Sequence, residues 1–84
     1  HYQMGKVCAE YNLKLDQGAE CLQTYINNYT TKDGVPVAWA NYRLAQIFKH
    51  KGEKVVALNY IELAINELPD IKPFQEEKRL IQGL

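Results

Sequence analysis

The chain has 84 residues, 46% hydrophobic and 24% charged, with ten basic and ten acidic side chains and a formal net charge of zero. Neutrality excludes the one-sided basic field that draws a small domain to nucleic acid or an anionic membrane, and no apolar run reaches the roughly 18 residues that a bilayer span needs. A domain this short buries a limited share of its surface, so its core has little to spare.

Apolar and small residues recur at helical spacing along the whole chain, and no segment alternates with period two over a strand's length. The expected fold is therefore all-α. A first helix is predicted over about Tyr2 to Asn12. A second runs over about Asp16 to Tyr29, with Asp16 as its N-cap and Gly18, Leu22 and Tyr25 on one stripe. Cys8 falls on the inner stripe of the first helix and Cys21 beside that of the second. Both are expected as small buried hydrophobes; a disulfide between them is the alternative and would imply an oxidising compartment. With no CxxC and no paired histidine spacing, neither a zinc site nor a redox motif is written here.

The connector Thr30 to Pro36 is polar, and Asp33-Gly34 and Pro36 mark a turn in it. A third helix, about Val37 to Lys51, carries Asn41, Leu44, Ala45 and Phe48 and is stopped by Gly52, the residue favoured just past a helix end. A fourth, about Glu53 to Leu68, carries Ala57, Ile61 and Ala64 and is stopped by Pro69 and Asp70. A fifth begins at Lys72 or Pro73, proline being tolerated in a first turn, and runs toward Gln82. Phe74, Leu80 and Ile81 give it one apolar side, with Phe74 expected to anchor on the fourth helix. Gln75, Glu76, Glu77, Lys78, Arg79 and Gln82 are assigned to its polar side, with a Lys72–Glu76 pair across one turn. Such a helix is expected to cap a stack and keep it in water.

The second half of the chain repeats the first. Tyr2-Gln3-Met4-Gly5-Lys6-Val7-Cys8 aligns with Tyr42-Arg43-Leu44-Ala45-Gln46-Ile47-Phe48 at an offset of 40, and Gly18, Leu22 and Tyr25 align with Ala57, Ile61 and Ala64 at an offset of 39. One extra residue therefore separates the first two helices. The pattern resembles the tetratricopeptide repeat, in which Leu-small-x-x-aromatic in one helix is followed by Ala-x-x-x-aromatic or aliphatic in the next and a closing proline. Here Asn41 stands where that family prefers Trp, and Ile61 where it prefers Phe. The resemblance implies repeat one at about 1–31, repeat two at about 37–70 and a capping helix at about 72–83. Gly5, Gly18, Leu22, Leu44, Ala45, Phe48, Ala57, Ile61, Ala64 and Pro69 would be the packing residues. The chain begins at His1, directly inside a predicted helix, and is read as a piece of a longer protein in which Tyr2, Met4 and Cys8 have lost a covering helix.

Catalysis needs a nucleophile, a base or a metal in mutual reach. The sequence holds no G-x-S-x-G, HExxH, phosphate loop or dinucleotide turn. No enzyme, cofactor or metal is expected. Arg43, Lys49, His50, Lys51 and Lys54 are the nearest approach to a basic patch, and three of them fall at the end of a helix, where cations are favoured by the macrodipole, so no anion site is expected. The resemblance implies a concave groove lined by the first helix of each repeat, which would receive a peptide or helix of another protein. Carried over, its residues are Trp39, Tyr42, Gln46, Lys49 and His50, with Tyr2, Lys6, Ala9 and Glu10 from the first repeat. Tyr2 and Tyr42 stand where the carboxylate-gripping subgroup has Lys or Asn, so a chaperone-tail adaptor is not expected. The alternative is an architectural segment that spaces domains or forms a homodimer, with Trp39 and Tyr42 packed on Tyr25 and Tyr29. The spacing also resembles bacterial members of the family, which implies a soluble protein of the bacterial cytoplasm or periplasm.

Overall fold

The computed structural model describes residues 1–30, 32 and 34–84, and Thr31 and Asp33 of the expected turn lie outside them. Among the described residues five helices follow one another: α1 (Tyr2–Tyr11), α2 (Leu15–Asn27), α3 (Val37–His50), α4 (Lys54–Glu67) and α5 (Lys72–Gln82). α1 packs on α2 and α3 on α4; α3 also lies against both α1 and α2, and α5 against α4 and α3. No helix of the described residues is long and apolar enough to cross a membrane. The all-α, repeat-like architecture expected from the periodicity is present.

The two helical hairpins turn in the same way. Past α3, Gly52 sits at φ 76, and the Glu53 amide donates to Phe48 O at 2.9 Å. Past α1, Asn12 takes the same left-handed position at φ 51, and the Leu13 amide donates to Cys8 O at 3.2 Å. Each is the six-to-one bond that closes a helix end when the next residue adopts a left-handed backbone. The extra residue of the first hairpin is Lys14, left-handed at φ 46, which precedes α2 without a side-chain cap. Asp16 is thus not the N-cap: it lies in the first turn of α2, where a carboxylate complements the helix dipole and pairs with Lys51. α2 also ends two residues earlier than Tyr29.

α3 supplies both halves of the core. Ala40, Leu44 and Ile47 join Tyr2, Ala9, Ala19 and Leu22 in one cluster, and Ala38 and Ala45 join Ala57, Ile61, Ala64, Phe74 and Ile81 in the other. The small residues are where the helices come closest. A Cβ built on Gly18 would lie 2.6 Å from Cys8 Cβ and 3.1 Å from Ile47 Cδ1, and one on Gly5 would overlap Leu22. Cys8 is buried, Cys21 is half-buried, and both are free thiols. Tyr2 and Cys8 are covered by the fold itself, leaving only Met4 of the three exposed. Pro69 is exposed, so it ends α4 without packing, and its carbonyl accepts from Gln75 Nε2 at 3.2 Å.

On α5 three expectations change. Leu80 is exposed while Glu77 is buried, because the helix is rotated to set Glu77 in line with Phe74 and Ile81 against α3 and α4. Lys72 makes no ion pair among the described residues; Glu76 pairs with Arg79 and Lys78 with Glu62 at 2.7 Å.

Gly18→Ala is expected to lower stability by about 1–3 kcal/mol through overpacking, because Cys8 Cβ is backbone-borne and has no rotamer by which to retreat. Urea unfolding of the variant against the native chain measures this, and an unshifted midpoint would show that α1 and α2 are not held apart by contact at this position.

Candidate functional site: the face of α3 under α5

Trp39, Tyr42, Gln46 and Lys49 recur every three or four residues along α3 and so share one face. α5 lies on that face. Phe74 is seated between Trp39, at 4.8 Å between ring centroids, and Tyr42, at 5.0 Å. Trp39 and Tyr42 meet edge to face at 5.7 Å. Aromatic pairs in such tilted geometries add about 0.5–1.5 kcal/mol beyond their burial, so Phe74 is held by α3 as much as by α4.

The same face ends in a polar network. Gln46 Nε2 donates to Tyr42 Oη at 3.2 Å, while Arg43 Nη1 donates to Gln46 Oε1 at 3.0 Å. The Arg43 guanidinium also lies 4.9 Å above the Tyr42 ring and 3.9 Å from Glu10. Lys49 Nζ is 2.7 Å from Glu77 Oε2, whose side chain is 5% exposed. That contact is off the hydrogen-bond direction, leaving Oε2 without a directed donor, and Gln46 Nε2 reaches Oε1 only at 3.5 Å. A buried carboxylate is therefore held chiefly by the charge of Lys49. Burial pushes the Tyr42 phenol above its ordinary value of 10.0, Arg43 opposes this, and the negative charges of Glu77 and Glu10 add to it.

The expected groove residues are thus only partly brought together. Trp39, Tyr42, Gln46 and Lys49 are neighbours, but they are half-buried beneath α5. Trp39 and Tyr42 meet each other and Phe74; Trp39 also packs against the first cluster, as Tyr25 does, and the Tyr2 ring lies 5.6 Å from that of Tyr25. Tyr2 is 8% exposed and offers no groove surface. His50 is exposed, and its Nε2 donates to Ala9 O at 3.0 Å, tying the end of α3 to α1. Lys6 is half-buried and makes no ion pair among the described residues. The basic residues near the end of α3 are also engaged: Lys51 pairs with Asp16, whose hydrogen bond holds the ammonium above its ordinary value of 10.5, and Lys54 donates to Gln82 O at 3.0 Å.

Two features escaped the sequence reading. Glu77 looked like one more solvated carboxylate of α5, and only Lys49, polar on an otherwise aromatic stripe, hinted at a partner. The second is a cleft of about 410 Å³ between α2 and α4, floored by Asn41 and Leu44 of α3. Its trace in the sequence is Asn41, a polar residue on the apolar stripe. Among the described residues there is no group of three or more His, Cys, Asp or Glu that could hold a metal ion. Comparison of the chain with protein-family models, with curated proteins and with solved structures finds no match.

Lys49→Met is expected to lose about 3 kcal/mol, the order found when a buried ion pair is left with one member. Lys49→Met combined with Glu77→Met is expected to recover most of that loss, because no uncompensated charge remains. Urea unfolding of the two variants decides it: equal destabilisation of both would mean that Glu77 is solvated.

Since the folded chain holds the Tyr42 phenol above its unfolded value, the associated stability is complete below about pH 10 and is lost as pH rises through the folded value. Tyr42→Phe is therefore expected to flatten the alkaline fall in melting temperature above about pH 10, leaving the part due to Lys51. Parallel curves for the native chain and the variant would exclude Tyr42 as a cause.

Proposed function

We propose that this chain is a tetratricopeptide-type protein–protein interaction segment of the architectural kind, which stacks through an end face against another helix pair and spaces the parts it joins. The observation that carries this reading is an unequal pair of repeat positions. Met4 and Val7 correspond to Leu44 and Ile47 at the offset of 40. Leu44 and Ile47 are 0% exposed beneath α1 and α2, whereas Met4 is 58% and Val7 44% exposed, and Tyr11 extends the open stripe at 70%. The same apolar positions are thus covered in one repeat and bare in the other, and α3 provides the pattern for what covers them: a neighbouring pair of helices.

A second copy of the chain is the simplest such neighbour, since a face that meets itself about a two-fold axis closes into a dimer. Reception of an extended peptide on the α3 face is the weaker reading. A peptide there would have to displace Glu77 from Lys49 and Phe74 from between Trp39 and Tyr42. The stacking role calls for no cofactor, metal, nucleic acid or catalytic group.

The native chain is expected to show concentration-dependent association in sedimentation equilibrium, and Met4→Lys with Val7→Lys to abolish it with helical circular dichroism unchanged. A native chain that stays monomeric to about millimolar concentration, where an association worth roughly 4 kcal/mol would be half complete, would overturn the self-association.

A further inference from the structure

We infer that the cleft between α2 and α4 is a binding site for an extended, uncharged segment of polypeptide, held through its backbone amides. α2 and α4 make no direct backbone approach to one another. The cleft between them, of about 410 Å³, opens onto a different face of α3 from the one beneath α5. One side of it is fixed in place: the Tyr60 ring is stacked on Phe48 at 5.5 Å, and its hydroxyl accepts from Gln23 Nε2 at 3.2 Å, linking α4 to α2.

Asn41 is the residue that points to a ligand. It is only 7% exposed, and its carboxamide makes no hydrogen bond to another described residue. Yet neither of its side-chain polar atoms is sealed off, so the surface it keeps is where the carboxamide opens into the cleft. An occupant that covers this group must pair both of its ends, because a buried donor or acceptor left unmade opposes binding. The oxygen needs an N–H or O–H, and the nitrogen needs an acceptor.

The remaining lining selects a neutral amide. No charged side chain is present, so a cationic or anionic occupant would lose its hydration without gaining a counter-charge. Two further carboxamides, Gln23 and Asn27, line the cleft with Asn41, and Gln23 Oε1 makes no hydrogen bond to another described residue. A hydrocarbon occupant would leave these groups unpaired. A peptide group carries an N–H beside a C=O and so answers a carboxamide at both ends. In an extended chain the backbone groups are not bonded to one another, so successive amides are available to Asn41, Gln23 and Asn27. Ile26 and Leu63 then offer apolar contact to the side chains between. The site is independent of association through α1.

The test is a titration of the isotopically labelled chain, followed by nuclear magnetic resonance, with three probes: an alanine-valine-alanine peptide blocked at both ends, the same compound with its central amide replaced by an ester, and propionamide. The peptide is expected to give saturable shifts at the Asn41 side-chain amide and the Leu63 methyls. The ester, which lacks the N–H, is expected to bind about tenfold more weakly, and propionamide more weakly than the peptide. Asn41→Leu is expected to abolish the shifts while keeping the helical circular dichroism; the ester comparison, made on the native chain, decides the matter whether or not that variant folds. The inference is overturned by the absence of saturable shifts at the cleft up to about 10 mM peptide, by equal binding of ester and amide, or by undiminished binding to a folded Asn41→Leu. Propionamide binding as tightly as the peptide would also overturn it, since the ligand would then be a side-chain carboxamide and not an extended backbone.

Discussion

Close approach of helices through small residues is the constraint from which the rest follows. Gly18 faces Cys8 with no room for a methyl group, and Ala38, Ala40, Ala45, Ala57 and Ala64 are all fully buried. Small side chains let helix axes draw near, and dispersion attraction at short range is what a chain of this size has in place of a large core. With α1–α2 and α3–α4 drawn together, α3 ends up with neighbours on three sides. Its residues divide accordingly: Ala40, Leu44 and Ile47 toward the first hairpin, Ala38 and Ala45 toward α4 and α5, and Tyr42 and Lys49 against Phe74 and Glu77 of α5.

That third face explains why α5 carries a charge into its interior. An aromatic seat for Phe74 fixes the position of α5 along α3, and one more turn places Glu77 beside Lys49. A buried ion pair contributes little net stability compared with apolar residues of the same shape, but it penalises any register that separates the charges.

The consequence for function is a division of surfaces. The residues that would line a peptide groove are engaged within the chain, while Met4 and Val7 are exposed where their repeat counterparts Leu44 and Ile47 are covered, and Tyr11 extends the exposed stripe. The proposed stacking role uses that stripe. A cleft stands over Asn41, where α2 and α4 lie apart and a short polar side chain occupies a core position between them.

The helices themselves were legible along the chain, since period, glycine and proline are local signals: the stops at Gly52 and Pro69, the duplicated stripes and the extra residue before α2 all lie where the residues place them. So were the packing positions Gly5, Gly18, Leu22, Leu44, Ala45, Ala57, Ile61 and Ala64, because a residue's face on a helix follows from its number. What the order of residues left undecided was which helix meets which face. Asp16 caps nothing and pairs with Lys51, Tyr2 meets Tyr25, and Glu77 is buried while Leu80 is exposed. Each of these depends on the rotation of one helix against another, a quantity set by interactions between residues far apart in the chain, and so only the tertiary structure decides it.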